Sequence, residues 1–466
     1  MNKQPSLLHA LVCFGGIFLC ISFGLFYFQV SLHALMFVCL LWASFHSYLL
    51  GYKFVEIREM MNRGITKALP AIYIFILIGM VIASFMQSGT IASLLFYGLQ
   101  FLKPSIFLVA SLVLCSFMSV ATGTSWGTVG TLGVVLLAIG DTLGMPLPLV
   151  AGVIISGATF GDKLSPVSDT TNLAAMSAGT SLYRHIYSML FTTIPTFIVV
   201  TIILIIYGFL FDGNASSFTE LEAMLVALDD LYVLNPLITF IPIIVMVFCS
   251  LRRLSAEVSM SLSVVAATLI AIIVQQQPIT ESLNALWSNT APDSGIASLN
   301  SLLGRGGISS MSWTLLISIM ALAMGGILNG AGFLQVLLEG ILVRLRRTGS
   351  IVATTIGAGV IGNMGMGEAY ITIILNSQLF KPVFKREKID KAVLSRSVEE
   401  GATMTTGLIP WTTAGAFYAS TLMVPVVEYA PYAFLNYLNP LISIVLAFLG
   451  WGLLGGRSKA CPERNL

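Results

Sequence analysis

The amino-acid sequence predicts an all-α polytopic membrane protein. Of its 466 residues, 56% are hydrophobic and only 9% are charged, whereas ordinary soluble domains carry about 25% charged residues. The mean hydropathy is +0.92, so the charges are too few to cover a water-facing surface. Backbone polar groups must be paired inside hydrocarbon, which leaves helices or a closed barrel. Because the apolar runs are continuous rather than alternating, they predict helices.

Eight apolar runs are each long enough to cross a hydrocarbon core of about 30 Å. They lie near 8–28, 32–50, 69–87, 186–210, 233–251, 256–275, 311–330 and 437–455. Four other stretches are mostly apolar but contain glycine, proline, hydroxyl and carboxylate residues near their middle. These stretches are 104–143, 146–183, 349–380 and 390–427. Because such residues interrupt helices, we do not expect one unbroken helix in any of the four.

The charge and cysteine content argue against a nucleic-acid-binding protein and against a disulfide-linked fold. A net charge of +2 gives no basic face for nucleic acid, so nucleic acid is not an expected partner. The cysteines form no CxxC pair and mostly lie in apolar runs, so we expect no disulfide framework. The N-terminal apolar run lacks a small-residue cleavage motif and is expected to be a retained span. The six cysteines are Cys13, Cys20, Cys39, Cys115, Cys249 and Cys461.

The distribution of basic residues predicts the topology, because cytoplasmic loops carry an excess of Lys and Arg. Basic residues concentrate in 51–67, 252–253, 344–347, 381–396 and the tail from Arg457. The segments 212–232 and 278–310 carry one basic residue between them and are expected to face outward, with Lys103 as an exception. Both termini are then cytoplasmic. The chain crosses about ten times if 104–143 and 349–380 are re-entrant hairpins, and about fourteen times if each limb crosses.

A weak internal repeat relates the two halves of the chain. At shifts of 242 to 244 residues, Gly89 aligns with Gly332, Gly123 with Gly365, and Pro166 with Pro410. The first unit follows a basic loop and the second follows an outward loop, so the units are expected to be inverted, which allows a central site to open to either side. The alternative is that two hydrophobic halves align by composition alone. We expect an N-terminal two-helix segment (1–68), repeat unit one (69–210), a connecting segment with two transmembrane helices and an outer loop (211–311), and repeat unit two with a cytoplasmic tail (312–466).

The most polar segment at membrane depth lies in unit one. Ionisable residues at this depth are costly and are functional candidates. Pro166 breaks the helix and frees backbone carbonyls. Carboxylate, hydroxyl, amide and carbonyl oxygens replace the hydration shell of a small cation. The alternatives are that Asp162 forms only a structural pair with Lys163, and that Asp169 only caps a half-helix. The candidate ion-binding residues are Asp162, Ser165, Ser168, Asp169, Thr170, Thr171 and Asn172.

Unit two carries a similar arrangement. Glu368 lies in a glycine-rich segment, and a carboxylate again precedes a Thr-rich stretch and a proline, Pro410. Adjacent residues on a helix point about 100° apart, so Glu399 and Glu400 do not both face one site. We favour Glu400, with Glu399 pairing with Arg396 three positions earlier. The candidates in this unit are Glu368, Glu400, Thr403, Thr405, Thr406 and Thr412.

The turn at 123–128 matches the G-x-S-x-G pattern of serine hydrolases. The strand–turn–helix context is absent, however, and His185 lies at an expected helix end, where it is a poor candidate for the base. The sequence contains no HExxH motif and no P-loop, so we expect a secondary transporter rather than an enzyme. Thr124 and Ser125 of this turn are then candidates for ion binding. The two hairpin turns and the two proline breaks are expected to surround one central site.

Four segments resemble the NhaC-type sodium/proton antiporters of the ion transporter superfamily. They are GTSWGT (123–128), FGDKLSPVSDTTNLA (160–174), LLGRGGISSM (302–311) and SRSVEEGATMTTGLIPWTTAGAFYAS (395–420). The resemblance covers nearly the whole chain. It implies an inverted-topology repeat with two re-entrant hairpins, at 104–143 and 349–380, and two broken transmembrane helices, at 146–183 and 390–427. It also implies exchange of sodium, or of lithium, for protons across the bacterial inner membrane.

The substrate stays open between two classes, because the same family includes exchangers of small organic anions such as malate and lactate. Many relatives have Glu-Asp at Glu399–Glu400, so the identity of the site carboxylate also stays open. The acidic excess at membrane depth favours a cation. One carboxylate would bind sodium and a proton in turn, with Asp162, Asp169 and Glu400 as the expected sodium ligands. We expect no cofactor besides the transported ions and a surrounding of membrane lipid; a homodimer stays an open possibility.

Overall fold

The computed structural model describes residues 4–67, 69–101, 104–210, 217–342 and 347–454. Within these ranges the regular structure is helical and contains no β-strand. This confirms the predicted all-α class. The basic residues expected at 103, 344, 346 and in the tail, together with Cys461, lie outside the described residues.

The N-terminal segment and repeat unit one form a continuous series of helices. The N-terminal helices are α1 (Leu7–Ser22, extended by a π-helical turn Phe23–Tyr27), α2 (Leu32–Leu49) and α3 (Phe54–Lys67). Unit one comprises α4 (Leu69–Gln87), α5 (Thr90–Phe101), α6 (Pro104–Thr122), α7 (Ser125–Thr128), α8 (Val134–Thr142), α9 (Leu147–Leu164), α10 (Asp169–Ala178) and α11 (Leu182–Leu210). A π-helical turn, Val129–Gly133, joins α7 to α8.

The connecting segment and unit two complete the chain. The connecting helices are α12 (Ser217–Leu231), α13 (Pro236–Thr239), α14 (Ile241–Leu251), α15 (Ala256–Ile273), α16 (Ile279–Trp287) and α17 (Ala297–Leu303). Unit two comprises α18 (Ser312–Gly330), α19 (Phe333–Leu342), α20 (Thr348–Met366), α21 (Ala369–Arg386), α22 (Lys391–Thr406), α23 (Thr413–Leu422), α24 (Val426–Tyr429) and α25 (Phe434–Phe448). The expected outward segments therefore contain short helices, α12, α16 and α17, that hydropathy alone did not predict.

The helix lengths and compositions are those of a multi-pass membrane protein. Among the described residues, 8 helices are long and apolar enough to cross a bilayer, and the number rises to 11 if each of three bent helix pairs is one span. Both hairpins have a first limb, α6 or α20, that is long enough to cross. Their turns nevertheless lie beside the helix breaks in the interior of the protein, as described below.

The repeat is visible in the helix bounds. The helices α4 and α18 begin 243 residues apart, as do α5 and α19, while α6 and α20, α10 and α23, and the second hairpin limbs begin 244 residues apart. The hairpin turns also correspond, since Gly123 (φ +69°) and Gly367 (φ +68°) both adopt the left-handed conformation that favours glycine. The structural partner of Gly123 is therefore Gly367, and the sequence alignment with Gly365 was out of register by two residues.

The first helices of the two units, α4 and α18, run antiparallel. The segment before α18 packs on the C-terminal half of α4, where the Gly307 N–H donates to the Gly79 carbonyl at 2.7 Å. The segment before α4 packs in turn on the C-terminal half of α18, where the backbones of Gly64 and Gly326 are in close contact. The segments that lead into the two helices therefore make reciprocal contacts, as expected if the two units form an inverted repeat.

Glycines allow the hairpins to pack closely on the broken helices. A Cβ atom added to Gly157 of α9 would lie 2.5 Å from the Leu112 carbonyl oxygen of α6. A Cβ atom added to Gly401 of α22 would lie 2.4 Å from the Ile356 carbonyl oxygen of α20. The two glycines are 244 residues apart, so each unit uses the same close helix contact to hold its hairpin against its broken helix.

Candidate functional site

The break in unit one lies where proline and serine residues interrupt the helix. Helix α9 ends at Leu164, and α10 begins at Asp169. The Ser165 hydroxyl donates to the Val120 carbonyl of α6 at 2.8 Å, which ties the break to the first hairpin. The Ser168 side chain caps α10 by accepting from the Thr171 N–H, so Asp169 is a first-turn residue rather than the cap.

The first hairpin turn brings a hydroxyl to the carboxylate of unit one. Thr124 caps the second limb by accepting from the Gly127 N–H. The Ser125 hydroxyl donates to Asp162 Oδ2 at 2.9 Å. Asp162 is buried, and among the described side chains no salt bridge to its neighbour Lys163 occurs. The geometry therefore does not show the structural ion pair considered from the sequence.

The second hairpin turn is built in the same way with a different cap. The Glu368 carboxylate accepts from the backbone N–H groups of Tyr370 and Ile371, at 2.6 and 3.3 Å. The Thr413 N–H of the second break donates to the Gly367 carbonyl at 2.9 Å. Glu368 therefore caps α21 at the helix N-terminus, where a negative charge is stabilised. This capping role uses part of its capacity to bind an ion.

Both hairpin turns and both helix breaks line one cavity of about 390 Å³. Ten of the candidate residues line it, and five do not. The lining candidates are Thr124, Ser125, Asp162, Ser168, Asp169, Thr170, Asn172, Glu368, Thr403 and Thr406. The candidates outside it are Ser165, Thr171, Glu400, Thr405 and Thr412. Asp162, Asp169 and Glu400 do not form a common cluster, and the described residues contain no group of three His, Cys, Asp or Glu side chains suited to a metal ion.

The cavity has an exposed mouth and a buried end. Exposed residues at the mouth come from the α14–α15 turn and from the starts of α10 and α11, and include Arg253, Asp169 and Tyr183. The buried end contains Asp162 and Glu368. Trp126 at this end stacks on Phe75 with ring centroids 5.1 Å apart and on Phe417 at 5.4 Å. A solute entering from the mouth would therefore meet Asp162 at the inner end of a polar cavity.

Glu399 and Glu400 lie outside the cavity and face different neighbours. Glu399 Oε2 is 2.6 Å from His185 Nε2, and its Oε1 accepts from the Thr171 hydroxyl at 3.2 Å. Glu400 Oε1 accepts from the Thr192 hydroxyl at 2.6 Å. Both carboxylates are fully buried. The structure thus brings Glu399, rather than the favoured Glu400, into contact with the break of unit one.

Arg396 does not pair with Glu399 as expected. Its Nη1 donates to the carbonyls of Ser188 and Gly452, at 3.1 and 2.9 Å. Its remaining nitrogens have no hydrogen-bond partner among the described residues. The Glu400 carboxylate interacts electrostatically with the guanidinium.

Sequence comparison places the chain among known transporters. The model of the Na+/H+ antiporter family matches residues 5–171 and 157–451. The chain belongs to this family. It is 33% identical over 467 residues to the Na(+)/H(+) antiporter NhaC of Alkalihalophilus pseudofirmus, with 100% of both chains covered. The family members named here are antiporters, which are secondary transporters rather than enzymes.

Two other similar family members are named for different solutes. The chain is 32% identical over 450 residues to the malate-2H(+)/Na(+)-lactate antiporter of Bacillus subtilis, with 96% of each chain covered. It is 31% identical over 471 residues to the arginine/ornithine antiporter ArcD of Halobacterium salinarum, covering 100% of this chain and 96% of that one. Family membership thus establishes that the chain is an antiporter, but the transported solute must be inferred from the residues of the site.

In this family member the connecting segment also contributes to the site, which the sequence did not indicate. Arg253, Ser259 and Met260 of the α14–α15 region line the cavity. The Ser250 hydroxyl donates to the Thr122 carbonyl at 2.5 Å and so holds the first hairpin turn. Ser250, Ser259 and Met260 lie in ordinary apolar helices and Arg253 lies in the short turn between them, so no local pattern marks them as site residues. Their role depends on the tertiary packing of α14 and α15 against unit one.

Proposed function

We propose that the protein is a secondary antiporter that exchanges sodium ions for protons by alternating access, with Asp162 as the cation-binding carboxylate. The observation that carries the proposal is the position of Asp162, buried at the inner end of a cavity that both repeat units line. The name of the NhaC relative supports sodium and protons as the two exchanged ions. The inner membrane, with both termini cytoplasmic, is the proposed location.

The surroundings of Asp162 suit a partly dehydrated cation. Ser125 is a hydrogen-bond donor to the carboxylate. Thr403 and Thr406 line the same cavity, and their buried hydroxyls have no partner among the described residues. Hydroxyl and carboxylate oxygens replace the hydration shell of a hard cation. A sodium ion and a proton compete for one carboxylate, so the arrival of one favours the departure of the other. This competition produces exchange without a separate coupling device.

The open mouth corresponds to an inward-facing state. The α14–α15 turn at the mouth carries Arg252 and Arg253, and the positive-inside rule assigns such a turn to the cytoplasm. The antiparallel arrangement of α4 and α18 supports a second state in which the units exchange roles and the site opens outward. We therefore propose that the cavity is the cytoplasmic access path to Asp162.

An organic-anion exchanger is the second candidate, and one observation favours it. The cavity of about 390 Å³ is larger than a sodium ion requires, and Arg253 at its mouth would attract a carboxylate. The carboxylates of Asp162, Asp169 and Glu368 line the same cavity and oppose an anion. The acidic lining therefore favours sodium as the exchanged solute over malate or lactate.

Proteoliposomes containing a pH-sensitive dye test the proposal. Addition of sodium or lithium, with no organic anion present, is expected to move protons in the wild-type protein and in Asp229→Asn, an exposed control. Asp162→Asn keeps the shape of the side chain but removes its charge, so exchange is expected to fall at least about a hundredfold while the protein still inserts. Normal exchange by Asp162→Asn contradicts the assignment of the carboxylate. Transport that requires added malate or lactate reverses the order of the two candidates.

A further inference from the structure

A second, smaller cavity lies apart from the candidate cation site. It has a volume of about 80 Å³ and shares no lining residue with the larger cavity. Its walls come mainly from α8, α12 and α17, and the last two helices belong to the segments expected to face outward. Most of its wall is formed by leucine, alanine and methionine side chains, and its charged lining residues are Asp141 and Arg305. We therefore call it the outer cavity.

Arg305 is unusual for its position in the sequence. It is the only basic residue of the two outward segments, 212–232 and 278–310. It also lies in the segment LLGRGGISSM (302–311), none of whose residues lines the larger cavity. Basic residues concentrate on the cytoplasmic side of membrane proteins, so an arginine on the outward side requires a local explanation.

The backbone around Arg305 is held in one conformation by a hydrogen bond and by close packing. Asn289 Nδ2 donates to the Arg305 carbonyl at 2.7 Å. Gly306 and Gly307 follow with φ of +102° and +89°, values that favour glycine. A Cβ atom added to Gly306 would lie 2.5 Å from the backbone nitrogen of Ala83 in α4. The segment thus fixes the point from which the Arg305 side chain reaches the outer cavity.

The Arg305 guanidinium lacks a partner for its charge. Its Nη1 is buried and has no hydrogen-bond partner among the described residues. The salt bridges within the described part of the chain do not include Arg305. Asp141 acts on the guanidinium electrostatically, but its side chain is exposed. Because a desolvated charge without a partner is costly, we expect a hydrogen-bond acceptor beside Arg305 in the outer cavity.

The size and the lining of the outer cavity suit a small anion as this acceptor. A guanidinium presents a fork of N–H donors that matches a halide or a carboxylate. A volume of about 80 Å³ equals that of about two or three water molecules, which is enough for chloride or acetate and too little for a sugar acid such as gluconate. The apolar wall lowers the local dielectric and strengthens the attraction between Arg305 and an anion.

We propose that Arg305 binds a small monovalent anion, such as chloride or acetate, in the outer cavity. Asp141 lies at the exposed side of this site, where its negative charge weakens the binding without preventing it. The site goes beyond the proposed exchange of sodium for protons, because it shares no residue with the cavity of Asp162. The other possible occupants of the space beside Arg305 are water and the Asp141 carboxylate itself.

Thermal unfolding of the full-length protein in detergent tests the inference. Sodium chloride or sodium acetate replaces sodium gluconate in steps, at constant sodium concentration and ionic strength. A ligand that binds only the folded state raises the unfolding midpoint as its concentration increases. The midpoint of the wild-type protein is expected to rise by about 1–2 °C and to saturate. In Arg305→Gln this rise is expected to fall at least fivefold, because the charge that holds the anion is absent.

Asp141→Asn is expected to change the anion response in the opposite direction. It removes the negative charge that opposes the anion, so half of the rise is expected at an anion concentration about threefold lower or less. Because Asp141 is exposed, this variant provides a result even if Arg305→Gln does not fold. Asp229→Asn on α12 and Arg58→Gln on α3 make the same charge changes at exposed positions outside the outer cavity, and both are expected to respond as the wild type does.

Three results would overturn the inference. If the wild-type protein responds equally to chloride, acetate and gluconate, water alone fills the outer cavity. If Asp141→Asn responds to chloride or acetate and the wild type does not, the Asp141 carboxylate itself occupies the site. If a folded Arg305→Gln responds as strongly as the wild type, the anion binds elsewhere. The proposed exchange of sodium for protons is unaffected by all three, because the assay does not involve Asp162.

Discussion

Replacement of Gly401 by alanine tests the helix contact that holds the candidate site together. The added methyl carbon would lie 2.4 Å from the Ile356 carbonyl oxygen, whereas ordinary contacts begin at 3.4 Å. Helices α22 and α20 must therefore move apart by about 1 Å, because the obstructing atom is backbone and cannot rotate away. Overpacking of this kind costs about 1–3 kcal/mol. The shift also displaces the adjacent Glu400 and Glu399 of α22.

Gly357→Ala is the matched control, since it lies on α20 and a Cβ atom there has no neighbour within 4 Å. Alanine is a better helix former than glycine by about 1 kcal/mol, so this variant is expected to be as stable as the wild type or slightly more stable. Thermal unfolding in detergent, followed by size-exclusion chromatography of the heated samples, measures the difference. Sodium-driven proton flux in proteoliposomes measures the effect of the displacement on exchange.

The expected result is a lower midpoint and a slower flux for Gly401→Ala, with neither effect for Gly357→Ala. Gly157→Ala is expected to repeat the loss of stability, because its methyl group would lie 2.5 Å from the Leu112 carbonyl oxygen. If Gly401→Ala is as stable and as active as Gly357→Ala, the close contact between the hairpin and the broken helix does not exist as described, and the reasoning fails.

Two further predictions concern the cavity. Ser125→Ala removes a hydrogen bond to Asp162. Because hydrogen bonds to charged groups contribute about 1.5–3 kcal/mol, the apparent sodium affinity in flux assays is expected to fall about tenfold or more. Ser116→Ala is the control, since the Ser116 hydroxyl bonds within its own helix, and equal affinities in the two variants contradict the prediction. A single cysteine at Asn172, which is exposed at the cavity, is expected to react with an impermeant maleimide applied from the cytoplasmic side, whereas a cysteine at the buried Thr171 is not. Reaction of both positions at equal rates would show that α10 does not separate the cavity from the interior.

Much of the fold follows from local sequence signals. Pro166 and Pro410 lack an N–H and lie within polar segments, which made both breaks predictable. Proline alone is not sufficient, because Pro195, Pro382 and Pro440 lie inside helices. The membrane spans were predictable because lipid requires long apolar helices. The short helices of the outward segments were not predicted, because at 15, 9 and 7 residues they are too short to be recognised as membrane spans. The register of the repeat was resolved by the helix bounds and by the left-handed turn at Gly367.

Part of the candidate site was predictable from the sequence. The residues whose position depends on tertiary packing were not. Asp162 and Ser125 were identified from their polarity in apolar surroundings, and they are in contact. The orientation of Glu399 depends on how α22 turns against α10 and α11, and a helix pattern does not determine this angle. His185 was set aside as a helix-end residue for the same reason. Its contacts are with Ser395 and Glu399, which lie 210 and 214 residues away.

The repeat copies the backbone of the site but not its charges. At a shift of 244 residues, Asp162 corresponds to Thr406 and Glu399 to Ile155, so neither carboxylate has a counterpart in the other unit. The proposed cation-binding carboxylate therefore belongs to unit one, whereas Glu399 belongs to unit two, and the Thr171 hydroxyl contacts both the Asp162 carbonyl and Glu399. Because these two partners of Thr171 lie on different units, a movement of one unit relative to the other would change the contact at Thr171.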